Sequence, residues 1–267
     1  CGEERVGNGK MSQLDVTFLG TGTSHGIPVI GCSCPVCTSC DPRDTRYRAS
    51  ILLQSEIFNI LVDTSPEFRL QALRAGLKSL DAVFYTHDHA DHFNGIDDLR
   101  VFCKDHSLPV YCKEDVALAI QSRFSYVLNG DDIAGGIPHL DLRILKPFEE
   151  VEIGNFKVMP IPVLHGKREI FAFRIGSFAY ATDCSEVPER SLPYFEGLDA
   201  LVVGALRYWP HPTHYSVFEA VAFGRKVGAK RVYFTHLSHG LSHATLSAEL
   251  PEGFSVAYDM LHIAVGS

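Results

Sequence analysis

The chain has 267 residues, 46% of them hydrophobic and 21% charged. These are ordinary values for a packed globular chain and argue against disorder, and the length is sufficient to bury a sizeable core. Asp and Glu total 32 against 24 Lys and Arg, a formal net charge of -8. That balance disfavours a globally basic nucleic-acid binder, and no apolar run approaches the roughly 18 residues of a membrane helix.

Residues 1–10 lack an apolar core and do not read as a signal peptide. With Met11 ahead of a clean strand, they read as a leader or vector-derived remnant before one domain over 11–267. With neither signal nor span, the protein is placed in the cytoplasm. Residues 14–20 alternate into a strand that ends in a Gly/Thr/Ser turn. Residues 22–48 show no periodicity, and about 12–15 residues is already long for an unstructured connection, so this loop needs its own staple. Residues 49–55 and 58–63 read as a strand pair. Pro66 opens a helix at its favoured first position, with Leu70, Leu73 and Leu77 on one face. Residues 81–86 and 109–112 read as short strands and 114–128 as a helix. In the second half, 151–165 and 170–183 read as antiparallel strands, with Gly176-Ser177 at a hairpin turn. Residues 188–197 look helical and 199–206 form a buried strand. Ser216 caps a helix with Val217, Ala220, Val221 and Gly224 on one stripe. Residues 231–236 are a last core strand, and 254–265 close the sheet. Strands and helices in two similar halves imply two sheets sandwiched between helices.

The chemistry concentrates in His and Cys. Thr86-His87-Asp88-His89-Ala90-Asp91-His92 offers three His and an Asp as ligands at the exit of a buried strand. A strand end is a rigid base from which a loop can aim several side chains at one point. Imidazole and carboxylate suit zinc, manganese or iron, and the spacing is too tight for one ion to use every group, so two adjacent ions would divide them. His165, Asp183 and His236 each end an apolar run, as expected of residues lining one edge of a sheet. Four of the 8 Cys, namely Cys32, Cys34, Cys37 and Cys40, crowd into the unpatterned loop. This is unlike a dispersed disulfide framework and resembles thiols gathered on a metal in a reducing compartment. Zinc takes four such ligands, and Cys3His is a standard closed set. Spacing leaves open whether Cys40 or His239 is the fourth.

These residues resemble the metallo-β-lactamase fold superfamily, over nearly everything from Leu14 onward: the run Thr86 to His92, then His165, Asp183 and His236, follow the family's order. The resemblance implies a four-layer αββα sandwich of two mixed sheets flanked by helices, with a dinuclear centre on one edge. It implies that His87, His89 and His165 hold one divalent ion (Zn, Mn or Fe), that Asp91, His92 and His236 hold the other, and that Asp183 bridges. Asp63 resembles the family's Asp that braces the metal loop. A narrower resemblance joins Leu19-Gly20-Thr21-Gly22-Thr23-Ser24, Gly31-Cys32-Ser33-Cys34-Pro35-Val36-Cys37 and Thr235-His236-Leu237-Ser238-His239. They are similar to the branch that contains phosphoribosyl cyclic-phosphate phosphodiesterases. It implies one structural zinc on Cys32, Cys34, Cys37 and His239, stapling the loop near 31–48.

The expected function is therefore metal-dependent hydrolysis of a small or cyclic phosphodiester by a metal-bound hydroxide. His214, in the Pro-rich segment Tyr208-Trp209-Pro210-His211-Pro212-Thr213-His214, is the candidate general acid, with His211 as competitor. Asp91 is counted with His214 among the catalytic groups. Arg48 and Arg207 are candidate phosphate contacts, His25 a packed loop residue and Cys184 a thiol turned away from Asp183. A small-molecule substrate, no membrane, no large nucleic acid and a homodimer as default assembly complete the expectation. The alternatives are a tRNA 3′-processing nuclease, for which no basic arm is evident, a thioester or lactone hydrolase of the same fold, and a non-catalytic metal-binding module.

Overall fold

The computed structural model describes residues 13–103, 106–127, 136–154 and 156–266. The expected leader over 1–10, Met11 and the end of the expected helix at Leu128 lie outside the described residues. Two seven-stranded sheets form the centre. The first comprises β1 (Leu14–Gly20), β2 (Ser50–Gln54), β3 (Asn59–Val62), β4 (Ala82–Phe84), β5 (Leu108–Cys112), β6 (Leu140–Ile144) and, beside β1, a strand from His262 to Val265. The second comprises β7 (Val151–Ile153), β8 (Phe156–His165), β9 (Arg168–Ile175), β10 (Phe178–Ala181), β11 (Ala200–Gly204), β12 (Arg231–Thr235) and β13 (Phe254–Val256); His262–Val265 is thus β14. In each sheet the first half pairs antiparallel and the second half parallel: β3, β4, β5 and β6 run together, as do β10, β11, β12 and β13.

The period of two along each strand explains the layers. Val16, Ile51, Ile60 and Phe84 point into the space between the sheets and meet Phe171, Phe173 and Tyr180 of the second sheet. Their neighbours Leu19, Leu52, Leu61 and Val83 point outward, under the helices α1 (Phe68–Arg74) and α3 (Glu114–Arg123). The outer face of the second sheet is covered by α4 (Val217–Val227) and α5 (His243–Glu249). A single turn, α2 (Ala90–Phe93), follows β4. The result is the four-layer αββα sandwich that the resemblance implies. Among the described residues no helix is long and apolar enough to cross a membrane.

Several elements depart from the sequence reading for identifiable reasons. In α1 the buried residues are Phe68, Gln71 and Ala72, while Leu70 and Leu73 are 45% and 64% exposed. Gln71 takes the inward face because its side chain accepts from Ser65 Oγ and donates to the Arg48 carbonyl, at 3.0 and 2.9 Å. The strand expected over 151–165 is two strands, turned by Gly154 at φ 59°. Glu189–Phe195 is 3-10 rather than α, with Pro193 inside it. The segment 254–265 serves both sheets: β13 pairs with β12, and β14 crosses to pair with β1. The α3 helix stops at Arg123 and a 3-10 turn at Ser125–Val127 follows. The strand β6, the helix α5 and the 3-10 turn Ile96–Phe102 carried no signal strong enough to be expected. The α4 cap is as read, with Ser216 Oγ accepting from the Glu219 N–H and Glu219 returning to the Ser216 N–H.

Gly95 fixes how closely α2 docks. A Cβ there would lie 2.2 Å from the Ser65 carbonyl oxygen and 2.8 Å from Phe68 Cβ. Gly95→Ala is expected to lower stability by about 1–3 kcal/mol through overpacking, whereas Gly136→Ala, with nothing within 4 Å, should stay within about 0.5 kcal/mol of the parent. Urea unfolding of the two variants checks this; equal midpoints would show that the close approach does not matter.

Candidate metal centre

Candidate ligands from both sheets meet at one edge, where β3, β4, β8, β10 and β12 end. Three residues just past strand ends, Asp63, Asp183 and His236, adopt left-handed backbone at φ 65°, 55° and 57°. Non-glycine residues there carry strain of order 1–3 kcal/mol and cluster at functional sites. The turn brings each side chain back over the sheet edge. His87 and His89 follow β4, Asp91 and His92 lie in α2, and His165 is the last residue of β8.

The side chains sort into two sets that share one carboxylate. Ligand atoms of His87, His89, His165 and Asp183 all lie within 4.8 Å of one another, as do those of Asp91, His92, Asp183 and His236. Asp183 addresses both: Oδ1 is 3.1 Å from His92 Nε2 and 3.2 Å from His236 Nε2, while Oδ2 is 3.7 Å from His87 Nε2. Asp91 Oδ2 lies 3.3 Å from His92 Nε2 and 3.4 Å from His236 Nε2. The far ring nitrogens are held from behind. His165 Nδ1 donates to the Thr213 carbonyl at 2.7 Å, and His92 Nδ1 donates to Asp63 Oδ2 at 2.8 Å. Thr86 Oγ1 donates to the Asp63 carboxylate at 2.9 Å and so accepts from His87 Nδ1 at 3.0 Å. Such backing fixes ring orientation and leaves Nε2 facing inward. Thr86 was not expected to take this role; its place between the strand and the first His was the only signal.

The electrostatics ask for positive charge. Asp63, Asp91, Asp183, His87, His92 and His236 are buried, and His89 alone among the active-site His and Asp is exposed, so the centre opens on its side. Burial drives His87 well below the ordinary imidazole range. Burial also opposes a charge on His92, but Asp183, Asp91 and Asp63 around it prevail and raise it well above that range. Burial likewise disfavours a charged Asp183, yet His236 and His92 hold it ionised. Buried carboxylates need paired cations, and His87 Nε2 and His92 Nε2 have no hydrogen-bond partner. The nitrogen and oxygen donor set suits Zn, Mn or Fe, so these residues fit a pair of divalent ions.

A third set lies nearby. Cys32, Cys34 and Cys37 Sγ are 3.3, 3.5 and 3.5 Å from His239 Nδ1. The backbone N–H of Cys37 donates to Cys34 Sγ and is the main cause that draws this thiol down to about 6, favouring thiolate. Three thiols and an imidazole form a closed tetrahedral complement for zinc. Cys40 is exposed and outside the set, so of the two fourth residues left open by spacing the geometry brings in His239.

His214 packs between the two sets. Its ring stacks on His236 at 4.8 Å and 15°, meets His165 edge-on at 4.7 Å, and places Nδ1 4.0 Å from Asp183 Oδ2. His211 is one layer further out, 5.1 Å from His214, with Nδ1 engaged by Thr213. Arg48 and Arg207 are committed elsewhere. Arg48 donates to the Ser24 carbonyl and pairs with Glu67, and Arg207 donates to the Trp209 and Pro210 carbonyls. His25 is exposed rather than packed. Cys184 is fully buried and turned to the Glu186 carbonyl.

Fold and site together define a hydrolase-type metallo-β-lactamase sandwich, and comparison with known proteins places the chain in that group: it belongs to the beta-lactamase superfamily, whose family model, described as a beta-lactamase superfamily domain, matches residues 58–237. Among solved structures, a diphosphatase of the PhnP family is 40% identical with a TM-score of 0.89, covering 95% of this chain and 97% of that one. Human tRNase Z, short form, is 20% identical with a TM-score of 0.68 over 93% of this chain and 98% of that one, a likeness of fold alone. An octanoyltransferase of Porphyromonas gingivalis is 37% identical over 254 residues, 93% of this chain and 51% of that protein. The chain thus spans about half the length of that curated relative.

Asp63 braces His92 and Thr86 at once while fully buried. Asp63→Ala is expected to cost about 3–5 kcal/mol, as for loss of one partner of a buried charged pair. Chemical denaturation of the metal-stripped protein checks this, and an unchanged midpoint would remove Asp63 from that role.

Proposed function

We propose that the protein is a dinuclear metal-dependent phosphoric ester hydrolase acting on a small phosphodiester or diphosphate. The observation that carries this reading is the division of Asp183, one oxygen toward each ligand set, with His214 packed over the junction. The 40% identical diphosphatase of the PhnP family supports the same class of substrate.

In this reading His87, His89, His165 and Asp183 hold one ion and Asp91, His92, Asp183 and His236 the other, while Cys32, Cys34, Cys37 and His239 hold a structural zinc. Two divalent ions there supply a water of lowered pKa and positive charge for the phosphoryl oxygens. Asp183 keeps the two sets at a fixed separation. Asp91, held ionised beside His92 and His236, accepts a proton of the attacking water. His214 gives a proton to the leaving oxygen. Burial, joined by its neighbours His236, His165 and His211, lowers His214 to about 3, so it starts as neutral imidazole. An arriving phosphate, an opposite charge at short range, raises it, and it becomes an acid only with substrate in place.

One feature weighs against the nuclease alternative: a net charge of -8 is poorly matched to a polyanionic tRNA.

Purified protein is expected to hold close to three ions by elemental analysis, matching the three sets, and to hydrolyse bis(p-nitrophenyl) phosphate. His214→Ala should lose about 10²–10⁴-fold in kcat and keep its metal. A fully loaded protein that leaves phosphate esters intact, or that hydrolyses only an octanoyl ester, sinks this reading.

A further inference from the structure

The first ligand set has an anchor of its own, separate from Asp63. Asp88 stands between His87 and His89, and its side chain is only 10% exposed. Arg123, the last residue of α3, grips it twice: Nη2 donates to Oδ2 and Nη1 to the Asp88 carbonyl, both at 2.7 Å. The same guanidinium lies 5.8 Å over the ring of Phe93. Arg168 Nη1 forms an ion pair with the other carboxylate oxygen of Asp88, outside hydrogen-bond geometry, and Arg168 Nη2 donates to Asp115 Oδ2 at 2.9 Å. Asp115 lies in the first turn of α3. The arrangement is closed: one end of α3 holds Asp88 through Arg123, the other holds Arg168 through Asp115, and Asp88 and Arg168 pair with each other.

The position of Arg168 gives this ring its consequence. It is the first residue of β9, and the register pairs it with His165 across the hairpin. Asp88 therefore ties the loop carrying His87 and His89 to the hairpin carrying His165. Those are three of the four donors of one set, and they come from different sheets. The hydrogen bonds and ion pairs of this ring do not involve Asp91, His92 or His236, and of these His92 is held by Asp63 instead. Each guanidinium spends its two terminal nitrogens on two different acceptors, and because the group is planar and rigid it fixes where those acceptors stand relative to one another.

We propose that Asp88, clamped by Arg123 and Arg168, is a positioning residue that sets the spacing of His87 and His89 against His165, and so governs the affinity of that ion position alone. This rests on the dinuclear reading above. An ordinary exposed ion pair would add little stability and leave metal binding untouched. A clamp instead predicts a loss confined to one of three ions.

The test is a Co²⁺ titration of the metal-stripped full-length chain, followed by visible absorption, for the parent, Asp88→Asn, Arg168→Ala and Arg168→Lys. The thiolate charge-transfer band of the cysteine set is the internal control. Asp88→Asn and Arg168→Ala should weaken one active-site ion about 10–100-fold, as for loss of a group that orients ligands. The second active-site ion and the thiolate band should stay as in the parent, and Arg168→Lys should recover part of the loss. If Asp88→Asn does not fold, Arg168→Ala carries the same comparison. Parent-like binding of both ions in the variants overturns the clamp, and so does an equal weakening of both. A parent that takes up cobalt only at its cysteines refutes the dinuclear reading itself, a result distinct from either.

Discussion

Everything at the edge of this sandwich answers to one constraint: carboxylates and imidazole lone pairs are packed together where water cannot solvate them. Asp63, Asp91 and Asp183 are each less than a tenth exposed, and they surround His92 at 2.8, 3.3 and 3.1 Å. Unpaired charges at such depth cost several kcal/mol each. In the protein alone the conflict is met by drawing a proton onto His92. A pair of divalent cations would meet it without one, and would also satisfy the partnerless nitrogens of His87 and His92. The left-handed backbone at Asp63, Asp183 and His236 belongs to the same account. Strain of that kind persists only where the surroundings dictate the conformation, and here Asp183 and His236 line the shared site while Asp63 backs His92.

The sequence reading reached much of this, for physical reasons that can be stated. The strands were legible because buried β-strands leave apolar runs bounded by turn residues, and the ligand candidates because each ends such a run. The residues of both sets and of the cysteine group are all legible in the sequence, and the fold brings their ligand atoms together. Legibility failed where local pattern does not determine the outcome. Leu70 and Leu73 had the right spacing for a core face, but the phase of α1 was decided by Gln71, whose amide finds partners only inward. The segment 254–265 looked like one closing element, yet it splits between sheets because Met260 turns the chain where its N–H meets the Phe18 carbonyl at 2.7 Å. Arg48 and Arg207 looked free for a phosphate only because their carbonyl and carboxylate partners are invisible in a linear pattern. The choices between Cys40 and His239 and between His214 and His211 are likewise matters of distance rather than spacing.

The location of the site follows from how the halves meet. Each ligand set draws on both sheets: His87, His89, Asp91 and His92 come from the first, and His165, Asp183 and His236 from the second. The separation of the donors is therefore set by the core between the sheets and not by any one loop. Phe84, three residues before His87, meets Phe173 edge-on at 5.3 Å and stacks on Tyr111 at 4.7 Å. Just above them the Phe171 N–H donates to the Thr86 carbonyl at 3.2 Å, a direct backbone link between the sheets at the root of the metal loop. Close-packed interiors transmit small changes in shape, so a change in the Phe84 to Phe173 contact would reach both ligand sets.

Two tethers divide the remaining work. Asp63 reaches His92 and Thr86 within the first sheet's edge, whereas Asp88 reaches outward to α3 and across to the second sheet's hairpin. Both braces are buried, Asp63 completely and Asp88 beside exposed His89. Fold alone does not choose a chemistry; here the choice rests on one carboxylate, Asp183, facing two sets that are held in place by different means.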